Sequence, residues 1–241
     1  MRLVTGHYLQ DWLLLDTDWN WRLDPALGGT LRAVSDIGSH WFDLTSFLIG
    51  SRIRSVVADL ETFIKVRRQP VGPIETFAAA KSGQTVDREI KTEDCGTIMV
   101  RYDNGALGSL AVSQISAGRK NSLRVEIDGA SGAAAWSSEL PDELWLGHRG
   151  RPNEALPRDP GLLNAAGAAA SFLPGGHIEG FADTFRALYH AVYQAVLEGH
   201  PAEGRYPTFA DGHDEMLVCE GVERSAREGK RVEIKREPIA Q

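Results

Sequence analysis

The sequence predicts an α+β fold: a large, mostly antiparallel open β-sheet with its helices packed on one face. Three observations carry that expectation. Short strand-like runs follow one another from Cys95 to Gly147 with turn residues between them. Helical spacing of apolar residues is confined to segments before and after that run. Strands joined by tight turns pair antiparallel, because a parallel crossover needs a dozen or more residues.

In chain order, an apolar run followed by Gly6 to Leu15 reads as a strand under way from the first residues. A polar, tryptophan-rich loop spans Asp16 to Gly29. Ser35 is placed to N-cap a helix from about Asp36 to Ile49, and Gly50 to end it. Within it Ile37, Trp41, Leu44 and Leu48 recur as a buried stripe, while Asp36, His40 and Asp43 share another face. Ile53 to Val66 is strand-like, and Arg67 to Gly83, rich in Pro, Gly and Ser, reads as a surface loop. The firmest local signal is a hairpin of Cys95–Tyr102 and Ala106–Ser116, where Asp103-Asn104-Gly105 supplies the positive backbone φ that tight turns require. Leu123–Asp128 and Ala133–Ser137 flank Gly129 to Gly132 as a second hairpin, and Glu143–Gly147 is another short strand.

From Arg149 to Gly176 the chain has little periodicity and predicts a long excursion over the surface or across a site. Phe181, Phe185, Leu188, Val192 and Val196 then mark one face of a helix ending near Gly199. Leu217, Gly221, Val222 and Ser225 line a second helix, and Lys230 to Lys235 suits a closing strand. Six to nine strands in one domain over residues 1–241 leave a sheet face without helices. A second copy is its simplest cover, which predicts a symmetric homodimer.

Composition narrows the classes of function. The chain has 241 residues of which 42% are hydrophobic, which excludes disorder as its overall state. Its formal charge is -7 and its 26 basic residues form no stripe or tail, which argues against nucleic acid as a partner. No apolar run approaches the roughly 20 residues needed to cross a bilayer, and the N-terminus lacks the apolar core of a signal peptide. A cytoplasmic protein without membrane attachment is the expectation. Cys95 and Cys219 belong to no Cys-x-x-Cys pattern and read as buried, reduced core residues.

Three constellations are chemically suggestive. Asp36 and His40 stand one helical turn apart, so a carboxylate could orient the imidazole and stabilise its charged form as an acid/base pair for a hydroxyl-bearing substrate. On spacing alone a structurally bonded histidine is the commoner arrangement. Gly38 between them suggests close approach by a backbone or ligand. His7, Asp36, His40 and Asp43 make a metal site thinkable, but no compact ligand motif supports it and none is expected. Tyr8, Gln10 and Trp12 alternate onto one strand face, and with Trp19 and Arg22 they offer aromatic and polar groups suited to a sugar; core tryptophan is the bland alternative. Arg119 and Asn121 at a strand end, and His177 in Gly175-Gly176-His177 before a helix, sit beside glycines at element boundaries. Taken singly, each is more often a solvated loop. The chain shows no G-x-G-x-x-G after a predicted strand, no G-x-x-x-x-G-K-[ST] and no G-x-S-x-G elbow.

Read together, Gly28-Gly29-Thr30-Leu31 and Asp36-Ile37-Gly38-Ser39-His40-Trp41-Phe42-Asp43-Leu44 resemble the signature helix in the second domain of the Gfo/Idh/MocA oxidoreductase family. Tyr8 to Trp12, Ser116 to Asn121, Gly175 to Gly180 and Thr208 to His213 extend the resemblance over nearly the whole chain. It implies a C-terminal domain of the dihydrodipicolinate-reductase-like, glyceraldehyde-phosphate-dehydrogenase-like kind, which binds substrate and builds homodimers or homotetramers. It further implies an NAD(P)-dependent parent enzyme acting on a secondary hydroxyl of a sugar, sugar derivative or cyclitol. Asp36 and His40 would be catalytic, with Tyr8, Gln10, Trp19, Arg22, Arg119, Asn121 and His177 around the substrate. The family's Rossmann domain, with its glycine-rich fingerprint and catalytic lysine, has no counterpart in these residues. The chain therefore reads as one half, with a separate Rossmann domain as a possible partner and no tight cofactor binding of its own. A non-catalytic sugar-binding scaffold is the alternative.

Overall fold

Strand-period runs from both ends of the chain assemble into one nine-stranded sheet in the computed structural model, which describes residues 1–72, 83–199, 204 and 206–236. In chain order the strands are β1 (Leu3–Leu9), β2 (Ile53–Glu61), β3 (Val66–Pro70), β4 (Thr85–Glu89), β5 (Cys95–Tyr102), β6 (Leu107–Ser113), β7 (Ser122–Asp128), β8 (Ala133–Ser137), β9 (Glu143–Gly147), β10 (Glu154–Pro157) and β11 (Val232–Glu233). The helices are α1 (Pro25–Gly28), α2 (Ser39–Ile49), α3 (Ala165–Ala169), α4 (Phe181–Glu198) and α5 (Phe209–Glu228). The large sheet runs β10-β9-β8-β7-β1-β6-β5-β2-β11, and β3 pairs with β4 apart from it. All these neighbours are antiparallel except β1 and β6. Among the described residues no helix is long and apolar enough to cross a membrane.

The placement of β1 shapes everything that follows. β6 and β7 are consecutive in sequence, yet β1 lies between them, parallel to one and antiparallel to the other. The connection over residues 114–121 must therefore cross the C-terminal end of β1, bonding Gln10 N to Ser113 O at 2.8 Å and Ser116 N to Gln10 O at 2.8 Å. This crossing ends β6 at Ser113, three residues short of the strand read from the sequence. The hairpin between β5 and β6 forms as expected, with Gly105 at φ 86° and its N–H on Tyr102 O at 3.0 Å.

Helices α2 and α5 pack on the same sheet face. Trp41, Phe42, Val218 and Val222 meet Val4, Ile98, Val100, Leu110 and Val125 there in one core. Burial of each aliphatic side chain of this kind contributes roughly 1.5–3 kcal/mol. Gly6 makes the contact with α2 possible: a Cβ there would lie 2.5 Å from Trp41 Nε1, which donates to Arg124 O at 3.2 Å across the sheet. The opposite face presents Thr97, Met99, Leu107 and Ser109, with Met99 53% and Leu107 43% exposed.

Several sequence expectations are corrected. Ser35 is no N-cap: Val34–Gly38 already forms a π-helical turn, Ser35 Oγ donates to Leu31 O at 2.9 Å, and the incoming helix is capped by Glu93, whose carboxylate accepts from Arg32 N at 2.9 Å and Val34 N at 2.8 Å. That wide turn shifts the helical phase. The buried side chains of α2 become Trp41, Phe42 and Thr45, and Leu48 is exposed. Gly38 has only ordinary contacts, Leu110 and Val34 lying 3.7 Å from where a Cβ would sit. Arg67–Pro70 is strand rather than loop, since β3 pairs with β4; residues 73–82 of the expected loop lie outside the described ones. Within the expected excursion, Glu154–Pro157 adds an edge strand. The apolar stripe of α4 reaches the surface, with Phe181, Phe185, Leu188 and Val196 all exposed. Cys219 is buried, its thiol pushed up to about 12 by burial, whereas Cys95 is only half-buried.

Where α2 meets α5, Glu215 lies beside Asp43. Burial, then the charge of Asp43 and a hydrogen bond to it, push the Glu215 carboxyl up to about 8. A carboxyl held above its ordinary value of 4.5 binds its proton more tightly folded than unfolded. Its contribution is complete below about 4.5 and is lost as pH rises through about 8. Glu215→Gln is therefore expected to gain stability over the parent chain at pH 9 and little at pH 5 in urea melts. Equal differences at the two pH values would remove the Glu215 proton as the cause.

Candidate active site

The crossing of residues 114–121 over β1 helps bring side chains from five segments to one cavity of about 840 Å³. That size is within the roughly 300–1,000 Å³ of small-molecule sites. β1 and the residues after it supply Tyr8, Gln10, Asp11 and Trp12; the following loop supplies Leu14, Leu15, Asp18 and Arg22. The helix entry supplies Asp36, Ile37 and His40, the crossing supplies Lys120 and Asn121, and α4 adds Phe181.

The loop that carries Arg22 is anchored from beneath. Arg67 on β3, fully buried, donates to Leu13 O at 2.8 Å and Leu15 O at 2.7 Å, and pairs with Asp94 at 3.0 Å. Asp94 pairs with Arg32 as well, and all three side chains are wholly shielded from solvent. Asp94 also accepts from Ile64 N at 2.7 Å. One carboxylate thus ties the loop to the helix entry that bears Asp36.

Asp36 is held on both oxygens. Arg22 Nε donates to Oδ1 at 2.9 Å and the buried Gln114 Nε2 to Oδ2 at 2.8 Å. Arg22 also lies over the Trp21 ring, 4.5 Å from its centroid. The expected carboxylate–imidazole bond is replaced by these contacts, because the π-helical turn at Val34–Gly38 rotates Asp36 away from a regular one-turn register with His40. His40 is exposed and stands over Tyr8, with ring centroids 6.1 Å apart. Burial pushes the Tyr8 phenol up and the Asp36 charge adds to it, against the lowering effect of its hydrogen bond to Asn121. Lys120 pairs with Asp11 at 2.7 Å and holds that carboxyl below its ordinary range.

Of the residues singled out from the sequence, Tyr8, Gln10, Arg22, Asp36, His40 and Asn121 line the cavity together. The structure does not bring Trp19, Arg119 or His177 to it. Trp19 packs on Leu13, Leu23 and Ile90 in a small core beneath the loop. Arg119 turns to Glu139 at 2.7 Å, and His177 is exposed on the loop before α4, where its carbonyl is held by Arg158. His7 points to the opposite sheet face from Tyr8 by strand alternation. Among the described residues no group of three His, Cys, Asp or Glu is arranged for a metal. Sequence reasoning missed Leu14, Leu15 and Phe181 as cavity residues and Gln114 as a partner of Asp36. An amide inside the otherwise small and apolar run Ala111-Val112-Ser113-Gln114-Ile115 was the available signal.

Comparison with known proteins agrees with this architecture. Residues 1–135, more than half of the chain, match the description "GFO/IDH/MocA C-terminal domain". A levoglucosan dehydrogenase of Pseudarthrobacter phenanthrenivorans is 27% identical over 235 residues, 95% of this chain and 58% of that protein. The myo-inositol dehydrogenase Hyg17 of Streptomyces leeuwenhoekii is 28% identical over 198 residues, 81% of this chain and 47% of that protein. The crystal structure of a levoglucosan dehydrogenase in complex with NADH and L-sorbose superposes with a TM-score of 0.81 at 26% identity, over 98% of this chain and 60% of that one. The chain thus spans about half to three fifths of the length of these relatives.

Proposed function

Since the chain belongs to the Gfo/Idh/MocA family, we propose that it is the substrate-binding part of an NAD(P)-dependent oxidoreductase that acts on a secondary hydroxyl of a sugar, sugar derivative or cyclitol. The observation that carries this reading is the convergence of Asp36, His40 and a linked set of hydrogen-bonding side chains on one open cavity. Relatives named for levoglucosan and myo-inositol support the ligand class.

In this reading His40 takes the proton of the reacting hydroxyl, or returns it in the reverse direction, through a ring that is open to the cavity. Asp36, clamped by Arg22 and Gln114, is a fixed carboxylate on the wall of the same cavity. Tyr8, Gln10, Arg22 and Asn121 orient the polyol. NAD(P) supplies the hydride acceptor. The two Lys/Arg side chains that line the cavity among the described residues, Arg22 and Lys120, are paired with Asp36 and Asp11. We assign the dinucleotide grip to a Rossmann part of the parent enzyme.

Binding is the direct test. A panel of epimeric monosaccharides, anhydrosugars and cyclitols is expected to raise the melting temperature of the chain, with saturation at concentrations that differ between epimers. Polyols also stabilise proteins by exclusion from their surface, but epimers do so alike. A uniform, unsaturating rise across the panel would sink the proposal. The exposed sheet face supports a companion proposal, that two or four copies associate through it. Light scattering that reads a monomer would remove that part alone.

A further inference from the structure

Four cavity side chains are linked tip to tip. Trp12 Nε1 donates to Gln10 Oε1 at 2.7 Å, and Gln10 Nε2 donates to Asn121 Oδ1 at 2.7 Å. The Tyr8 hydroxyl donates to the same Asn121 oxygen at 2.8 Å. The polarity of this chain is decided at its start, because an indole N–H can donate but never accept. Gln10 must turn its oxygen toward Trp12 and its nitrogen toward Asn121. Asn121 must in turn present its oxygen to Gln10, and Tyr8 can only donate to that oxygen.

Two donors occupy the two lone pairs of Asn121 Oδ1. The side chain can accept nothing more. Its Nδ2, with two hydrogens, has no protein partner among the described residues, on a side chain that is exposed and lines the cavity. The second hydrogen of Gln10 Nε2 is the next group available. Asn121 itself therefore offers only donors, and the acceptor capacity left beside it is the Tyr8 oxygen and one lone pair of Gln10 Oε1, each already engaged in one hydrogen bond. A ligand hydroxyl placed here can accept, but its own proton finds no free acceptor on Asn121. An ether or carbonyl oxygen brings no proton and fits without that loss.

We propose that Asn121 is a specificity-determining residue that recognises an acceptor-only oxygen, so that the cavity prefers a sugar with a ring or bridging ether, or a keto group, at this point over a carbocyclic polyol. The proposal rests on the reading that the cavity binds a sugar or polyol. It adds which functional group faces which residue.

The test uses the whole chain with 1,6-anhydro-β-D-glucose as the ether probe and myo-inositol as the all-hydroxyl probe, titrated by NMR. The ether probe is expected to shift the Asn121 side-chain amide resonances and to bind about tenfold tighter than myo-inositol. Asn121→Asp keeps the acceptor for Tyr8 and Gln10 but deletes the NH2. It is expected to weaken the ether probe about tenfold and myo-inositol by under about threefold. Asn121→Ala, which removes donor and acceptor together, should shift the preference in the same direction. Binding of both probes with an unchanged ratio in the two variants, or tighter binding of myo-inositol by the parent chain, overturns the role of Asn121 alone. Binding of neither probe to the parent chain overturns the sugar-site reading and this assignment with it.

Discussion

Asp94→Asn is expected to destabilise the fold by about 3–5 kcal/mol, the cost of removing one partner from a buried ion pair. Arg32, Arg67 and Asp94 are all wholly shielded, so two guanidinium groups depend on one carboxylate. Burial and the neighbouring Arg32 charge already hold the Arg67 guanidinium below its ordinary range. Glu93 cannot take over, because its carboxylate is bonded to Arg32 N and Val34 N. The amide of the variant keeps the shape and one donor-acceptor contact but removes the charge. Urea unfolding followed by fluorescence measures the loss, and a change below about 1 kcal/mol would show that the guanidinium groups find other compensation. The damage should spread to the site, since Arg67 anchors Leu13 and Leu15 in the loop that carries Arg22.

His40→Ala, assayed in the holoenzyme with its nucleotide-binding part, is expected to lower kcat about 10²–10⁴-fold, the usual contribution of a positioned general acid/base. KM should change far less, because in the proposed role the ring acts on the reacting hydroxyl and contributes little to holding the rest of the sugar. Asp36→Asn should give a smaller loss, since the amide can still accept from one of Arg22 and Gln114. A decrease of less than about tenfold in His40→Ala would mean that the hydroxyl proton leaves by another route.

Local signals in the sequence were sufficient wherever a structure is decided by neighbours along the chain. Asn104-Gly105 specified its hairpin because the positive φ of Gly105 is a property of the turn residue itself, and the segment Gly129–Gly132 joins β7 to β8 as a hairpin as expected. The helix from Ser39 to Ile49 followed from periodicity, and six cavity residues followed from their chemistry beside the family resemblance. Errors arose where the deciding partner is remote. Glu93, about 60 positions away, replaces Ser35 as the helix cap, and β4 converts Arg67–Pro70 from loop to strand. Trp19 was drawn into a small core, while Arg119 turned to Glu139.

By itself the sequence determined the α+β class, the β5–β6 and β7–β8 hairpins, the family, and the presence of Asp36 and His40 on one helical segment. Only the tertiary structure decided that β1 separates β6 from β7, and so that Gln114 and Asn121 arrive at the end of β1 beside Tyr8 and Gln10. It also decided that Asp36 bonds Arg22 and Gln114 in place of His40. The physical reason is the same in each case: backbone preferences and side-chain periodicity act over a few residues, whereas hydrogen bonds and ion pairs select whichever partner the sheet topology brings within about 3 Å.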